Sequence, residues 1–160
     1  MAESRRGLMS QTLPPFAEPV ILCGAYRSPR QMLADQTYGG HLSIHDDATA
    51  ESLGLRAGPI EGPTHFSQFV PLLHSLFGDA WFETGCISSH FQNMVVEGEE
   101  VRAFAQLESA CRARIWAEKR DGVPVLTGTA TVGSNGPPTE IGARLAALRP
   151  PERLVILRDL

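Results

Sequence analysis

Residues 58–78, GPIEGPTHFSQFVPLLHSLFG, contain the longest helical pattern in the chain and decide its fold. Apolar side chains recur there at spacings of three and four residues, at Phe66, Phe69, Val70, Leu73, Leu76 and Phe77. Pro63 stands near the start, where a missing N–H group costs no intrahelical hydrogen bond. Leu72 widens the apolar face, and a helix with so little polar surface must be buried. We therefore predict one long central helix over about residues 62–77, wrapped by the rest of the chain.

Most of the remaining chain shows the alternation of apolar and polar residues that is typical of half-buried strands. The predicted strands cover residues 20–23, 83–91, 101–107, 112–119 and 123–132. Asp121-Gly122 predicts a hairpin between the last two strands, and Glu97-Gly98-Glu99 predicts a turn. The last three strands should form an antiparallel meander.

Three shorter helices are also predicted. One begins at Ser28-Pro29 and stops before Gly39, a second covers residues 48–55, and a third covers residues 141–148. One buried helix against an antiparallel sheet predicts an α+β protein with a single hotdog fold, in which a curved sheet wraps around the central helix.

The predicted domain organisation has three parts. Residues 1–18 form an N-terminal arm, residues 19–133 the hotdog domain, and residues 134–160 a C-terminal extension with a short helix and an apolar tail. The tail, Leu154–Leu157, could be an edge strand or a partner-binding segment.

Composition narrows the function classes. The chain has 160 residues and a net charge of −4, from 18 acidic and 14 basic side chains, which argues against nucleic acid as a partner. Its three cysteines have no metal-ligand spacing, and scattered free thiols suggest a cytoplasmic protein. No apolar run approaches the roughly 20 residues that span a membrane. No signal peptide is expected, because no long apolar run follows Arg5 and Arg6.

Two motifs around the central helix resemble the MaoC-like hydratases and dehydratases. The first is Ile44-His45-x-Asp47, and the second is Gly58-Pro59-Ile60-x-Gly62, which opens the helix. The later order Phe91, Val95, Gly98-Glu99 and Val101 is similar to a strand and turn of that family. The resemblance covers about residues 20–132.

The resemblance implies a hotdog domain that binds an acyl thioester of coenzyme A or acyl carrier protein, as a homodimer with sites at the interface. It implies no separate cofactor. His45 would be the catalytic acid and base, and the Gly62 N–H group would polarise the thioester carbonyl. Predicted substrate-binding residues are His41, Ile60, His65, Phe66 and Phe91.

The chain departs from the family pattern at three positions. The family has an Asp five residues before its His, where this chain has Gly40, and Asp35 or His41 could replace that acid. Ser43 stands where the family has Pro, and Glu61 where it usually has His.

These departures keep two alternatives to a hydratase or dehydratase open. Glu61 beside Gly62 suggests a hotdog acyl-CoA thioesterase, because a carboxylate at the helix start could activate water, although Glu61 could equally complement the helix dipole. Because Gly40 replaces the family's acid and cannot transfer a proton, the chain could instead be a non-catalytic domain that binds a thioester or another small ligand.

Several other polar residues have structural explanations of their own. Asp46 or Asp47 could cap the helix that follows, or one of the two could orient His45. The arginines Arg102, Arg112 and Arg114 could meet a coenzyme A phosphate or form a solvated sheet face. His65 and His74 are nine residues apart and point to opposite helix faces, so no metal site is predicted.

Overall fold

The structure is a computed structural model, and it describes residues 19–32, 42–133 and 138–149. Five strands form one antiparallel sheet: β1 Ile21–Cys23, β2 Cys86–Phe91, β3 Val101–Ser109, β4 Arg112–Lys119 and β5 Pro124–Thr131. Their order across the sheet is β1-β3-β4-β5-β2, and every neighbouring pair is antiparallel. The predicted meander of β3, β4 and β5 is confirmed, and β1 and β2 are the two edges.

One face of the sheet is apolar because side chains alternate along each strand. In β3, Val101, Ala103 and Ala105 are buried. Ala105 pairs with Ile115 of β4, and Ala103 with Ala117, and all four side chains are buried. The predicted hairpin between β4 and β5 is present, and Gly122 has the positive φ of 84° that its tight turn requires.

The predicted central helix is present but divided. It consists of α2, Gly62–Ser67, and α3, Val70–Phe77, with a tighter turn between them. Pro71 lacks the N–H that would bond to the carbonyl of Ser67. In the turn, Gln68 N and Phe69 N instead donate to carbonyls three residues back, over 3.3 and 3.0 Å. An uninterrupted helix over 62–77 was therefore a wrong expectation.

The two helical segments pack on the apolar face of the sheet. Phe69 and Leu73 are fully buried and join the sheet residues in one core, whose largest buried side chains also include Ile115, Leu126, Val95, Val101 and Val125. The α+β hotdog fold predicted from the sequence is confirmed. Pro71, His74 and Ser75 are exposed, so the outer side of α3 does face water.

Three short helices complete the described chain: α1 Asp47–Ser52, α4 Ala80–Thr84 and α5 Glu140–Ala147. The predicted helices near α1 and α5 are confirmed. Helix α5 docks on the sheet through its first turn, where Glu140 N donates to Thr129 Oγ1 and Ile141 N to Ser88 Oγ, each over 3.0 Å.

Two local expectations were wrong. Residues 83 and 84 belong to α4, not to the strand predicted over 83–91. A β-carbon at Gly85, the C-cap of α4, would lie 2.2 Å from the Trp81 carbonyl oxygen, so glycine is required where the chain passes from α4 into β2. Residues 28–32 are not helical, since Gln31 N donates to the side chain of Glu97 over 2.7 Å rather than to a preceding turn.

Several predicted features lie outside the described residues. They are the N-terminal arm 1–18, Asp35, Gly40, His41 and the apolar tail 154–157. Within the parts of the chain that the structure describes, no helix is long and apolar enough to cross a membrane.

Candidate active site

A cavity of about 360 Å³ lies beside the start of α2. Its lining residues come from the loop before α1, the segment leading into α2, α2 itself and the chain after β2: Ile44, His45, Pro59, Ile60, Gly62, His65, Phe91, Gln92, Asn93, Met94 and Val95. The volume is in the range of small-molecule pockets, and an apolar lining with a few polar groups is typical of them.

His45 is held by a short hydrogen bond to the backbone. Its Nδ1 lies 2.6 Å from the carbonyl oxygen of Pro59. A carbonyl oxygen can only accept, so Nδ1 carries the hydrogen. The neutral ring then has its lone pair on Nε2, and this nitrogen is the one left to accept a proton.

The segment that holds His45 is itself fixed by two side chains. Asp47 Oδ1 accepts a hydrogen bond of 2.8 Å from Gly58 N. Gln31 Nε2 donates to the carbonyls of Gly58 and Pro59, over 3.1 and 2.7 Å. The Pro59 carbonyl therefore accepts from both Gln31 and His45, which fixes the imidazole orientation.

The two neighbouring aspartates have different roles. Asp46 is the N-cap of α1, and its Oδ1 accepts from Thr49 N over 2.9 Å. Asp47 instead positions Gly58, and through the Gly58–Pro59 segment it acts on His45. Asp47 therefore orients His45 indirectly, through backbone.

Gly62 is the first residue of α2, so its N–H has no intrahelical acceptor, and the residue lines the cavity. Ile60, just before, is buried, and its N–H donates to the Val95 carbonyl over 2.8 Å. This bond ties the start of α2 to the opposite wall of the cavity.

Glu61 is buried beside the cavity but is not among its lining residues. Its Oε1 accepts from Met32 N over 2.9 Å, and its Oε2 accepts from Thr64 Oγ1 over 3.2 Å. These contacts link the segment ending at Met32 to the first turn of α2.

His65 is the most enclosed polar side chain of the site. It is 2% exposed, and its Nδ1 has no hydrogen-bond partner among the described residues. Burial lowers the pKa of His65 below 6.5, and the opposing charge of Glu61 only partly offsets this effect. The imidazole is therefore neutral at pH 7.

Two phenylalanines lie beside this end of the cavity, and one of them, Phe91, lines it. Phe91 lies edge-on to His65, with ring centroids 5.8 Å apart, and 5.9 Å from the ring of Phe66. A β-carbon at Gly62 would lie 3.4 Å from the Phe91 ring. Phe91 is 44% exposed and ends the edge strand β2, so it lies where the cavity meets the protein surface.

The structure thus brings together five of the predicted site residues: His45, Ile60, Gly62, His65 and Phe91. Glu61 and Phe66 lie next to the cavity without lining it, and His41 lies outside the described residues. Sequence reasoning considered Asp46 or Asp47 as a residue that orients His45, without choosing between them, and it missed Gln31 and the wall formed by residues 92–95. The motif from Phe91 to Val101 was the one signal that pointed to that wall.

The three arginines considered as phosphate ligands do not line this cavity. Arg102 donates to the Gly24 carbonyl over 2.8 Å, Arg112 pairs with Glu108 over 2.8 Å, and the Arg114 guanidinium lies 5.5 Å from the Trp116 ring centroid.

Across residues 19–32, 42–133 and 138–149, no group of three or more His, Cys, Asp or Glu side chains could hold a metal ion.

No model of a known protein family matches this sequence, and neither does any curated protein sequence. The sheet order and the packing of α2 and α3 define the chain as a hotdog protein. Solved structures with a similar fold include a MaoC-like dehydratase from Phytophthora capsici, at 19% identity and a TM-score of 0.56. That match covers 87% of this chain and 47% of the Phytophthora chain, so this chain spans about half of its length.

An (R)-hydratase from Pseudomonas aeruginosa, solved in the unliganded form, also has a similar fold. The identity is 13% and the TM-score 0.51, over 79% of this chain and 94% of that one. The resemblance predicted from the motifs is therefore confirmed at the level of the fold, which is that of MaoC-like dehydratases and (R)-hydratases.

Proposed function

We propose that this chain binds acyl thioesters of coenzyme A or acyl carrier protein and adds water to 2-enoyl thioesters, or removes it from 3-hydroxyacyl thioesters. The observation that carries the proposal is the 2.6 Å hydrogen bond from His45 Nδ1 to the Pro59 carbonyl. It leaves Nε2 as a base in a cavity that also contains the start of α2.

A single histidine can perform both proton transfers of this reaction. In hydration, Nε2 accepts a proton from water while the water oxygen bonds to C3 and electrons move to the thioester oxygen. The Gly62 N–H donates a hydrogen bond to that oxygen. Nε2 then returns the proton to C2, so that one water has been added and His45 is neutral again.

The Pro59 carbonyl supports this cycle. While Nε2 holds the proton, the imidazole is positively charged, and its Nδ1–H group donates to a carbonyl dipole. Hydrogen bonds to charged groups are stronger than those between neutral groups. The bond therefore stabilises the charged intermediate state more than the resting state.

We further propose that the chain works as a homodimer through its edge strand β2. Among the described strands, β2 pairs only with β5 and stands at an edge of the sheet. Phe82 and Phe91, just before and at the end of β2, are 66% and 44% exposed. A second β2 would cover both the free backbone groups and this apolar surface. Light scattering that gives the monomer mass at micromolar concentration would contradict this assembly.

Hydration of crotonyl-CoA tests the catalytic proposal, followed by loss of the enoyl-thioester absorbance. His45→Ala should lower kcat/KM by at least about 100-fold, the usual contribution of a general base. The matched control is His74→Ala, because His74 lies on α3 outside the cavity. Unchanged activity in the His45 variant would overturn the mechanism.

The same samples separate the two alternatives. Release of free coenzyme A that is lost in Glu61→Gln would indicate a thioesterase. Tight binding of crotonyl-CoA with neither hydration nor hydrolysis would indicate a binding domain.

A further inference from the structure

The face of the sheet that points away from the core carries large aromatic and charged side chains. In β4, the odd-numbered residues 113–117 belong to the core, so the alternation of a strand places Arg114, Trp116 and Glu118 on the outer face. We call these three residues the outer strip. Phe104 of β3 stacks on Trp116, with ring centroids 5.1 Å apart and ring planes 4° from parallel.

The outer strip is aromatic in the middle and charged at its ends. The Arg114 guanidinium lies 5.5 Å from the Trp116 ring centroid, and Trp116 Nε1 donates to Glu118 Oε1 over 3.1 Å. Neither Arg114 nor Glu118 forms an ion pair with another described residue. Tryptophan and arginine are also enriched among the residues that dominate binding energy at protein interfaces.

This strip is accessible. Arg114 is exposed, and Trp116 is half-buried. Helix α5 docks on the same face of the sheet, but it does so through Thr129 of β5 and Ser88 of β2. It therefore leaves the outer side of β4 open to a partner.

The order of charges along the outer strip makes it complementary to itself. Arg114 and Glu118 stand two residues on either side of Trp116, which is about 6–7 Å along a strand. A second copy, placed face to face with its β4 antiparallel, would bring each Arg114 opposite the Glu118 of the other copy. The two Trp116 side chains would meet at the two-fold axis. Such reciprocal contacts define a two-fold interface, and packed sheets keep their strands within about 30° of alignment.

The mixed charge of the strip also decides between kinds of partner. A nucleic acid presents negative charges only, which Glu118 would repel. Bases bind by stacking on open aromatic faces, whereas Trp116 and Phe104 stack on each other. A second copy of this chain satisfies both charges at once.

We propose that the outer strip is an interface between two copies of this chain, related by a two-fold axis near Trp116. This contact uses outward side chains of β4, whereas the dimer proposed above uses the edge of β2. A protein that makes both contacts is a tetramer. The inference does not depend on thioester chemistry.

Charge reversal tests the interface, with the mass of the full chain measured by sedimentation at micromolar concentration. Arg114→Glu and Glu118→Arg each place like charges opposite each other at two symmetry-related points. Each should raise the dissociation constant of the wild-type assembly at least about 100-fold, so that the mass falls by half. An equimolar mixture of the two variants should regain the wild-type mass, because every reversed charge then faces an opposite charge on the other copy.

Glu51→Arg is the control, because it reverses an exposed charge on α1, outside the strip, and should leave the mass unchanged. Should Glu118→Arg fail to fold, Arg114→Glu and Arg114→Lys decide the question, since only the first should halve the mass.

Three results would overturn the inference: a wild-type mass of a single chain, a wild-type mass that Arg114→Glu does not change, or a mixture of the folded variants that stays at the lower mass. A wild-type dimer that Arg114→Glu converts to monomers would support this interface and remove the one through β2.

Discussion

Gly58 packs directly against the backbone carbonyl of His45. A β-carbon at position 58 would lie 2.3 Å from His45 O and 2.7 Å from its carbonyl carbon. Two backbone segments that are 13 residues apart in the chain therefore touch at the point where His45 is positioned. This close approach requires glycine, and it brings the Pro59 carbonyl within reach of the imidazole.

Gly58→Ala should separate these two segments and break the hydrogen bond between His45 and Pro59. Overpacking of this kind costs about 1–3 kcal/mol of unfolding free energy. We expect that loss in urea titrations, together with a large fall in kcat for crotonyl-CoA. Gly24→Ala is the control, because the nearest atom to its added β-carbon is 3.8 Å away. Wild-type kcat in Gly58→Ala would contradict the role given to this contact.

Asp47→Ala should reduce activity through the backbone, without removing any group that reaches substrate. The variant loses the 2.8 Å bond from Gly58 N, so that the Pro59 carbonyl is less fixed. Asp46→Ala, at the neighbouring position, is the control. It removes the N-cap of α1 and should lower the unfolding free energy by about 1 kcal/mol. We expect lower kcat only in the Asp47 variant. Equal loss of kcat in both would show that α1 stability, rather than Gly58, matters.

The role of the Gly62 N–H can be tested by deleting it. Gly62→Pro removes the hydrogen at the first helical position, where proline is well tolerated. The preceding residue, Glu61, already has the extended backbone, φ −65° and ψ 146°, that a following proline requires. Loss of one such donor lowers kcat by about 100- to 1,000-fold.

Gly62→Ala is the control for that deletion. It keeps the N–H, and its β-carbon meets the Phe91 ring at an ordinary contact distance of 3.4 Å. Both variants place a β-carbon before Pro63, so they share that backbone cost. Equal kcat in the two variants would remove the Gly62 N–H from the mechanism.

Protonation of Glu99 at low pH should lower the unfolding free energy of the protein. Desolvation raises the pKa of this carboxyl, but hydrogen bonds from three donors and the positive charge of Lys119 outweigh it and lower the pKa from 4.5 to about 2. The donors are Arg56, Lys119 and the N–H of Val96. Since the folded pKa is the lower one, the stabilisation is complete above about pH 4.5 and is lost as the pH falls towards 2.

Glu99→Gln should therefore cost roughly 1–2 kcal/mol of unfolding free energy at pH 7, allowing for the solvent exposure of the carboxyl. The difference from wild type should shrink between pH 4.5 and pH 3 in urea titrations. Glu100→Gln is the control, because Glu100 pairs with Arg120 at the exposed surface and should show a smaller effect. A difference that is independent of pH would show that the Glu99 charge does not contribute.

Much of the fold could be predicted because it depends on local patterns. The alternation in β3 and β4 and the Asp121-Gly122 turn predict their strands directly. The division of the central helix was missed, although Pro71 is visible in the sequence, because the apolar spacing continues through Gln68 and Phe69. The start of β2 was misplaced because the few residues from 80 to 84 can form a helical turn or begin a strand.

The candidate site was less predictable, because its residues meet only after folding. The motifs identified His45 and Gly62, and the sequence placed His65 on the central helix. Nothing local to Asp47 shows that its carboxylate accepts from Gly58, 11 residues later. Gln31 and the wall at residues 92–95 are likewise brought to the site by contacts between distant segments.

The sequence by itself determined the class of the fold and the elements that carry His45, Gly62 and His65, because hydrophobic periodicity and turn residues act over a few positions. The tertiary structure alone decided the chemistry of these residues. Contact with Pro59 makes Nε2 the basic nitrogen of His45, and burial lowers the pKa of His65, whose Nδ1 has no hydrogen-bond partner in the described part of the chain. Proton position and burial are properties of three-dimensional surroundings, and the order of residues along the chain does not state them.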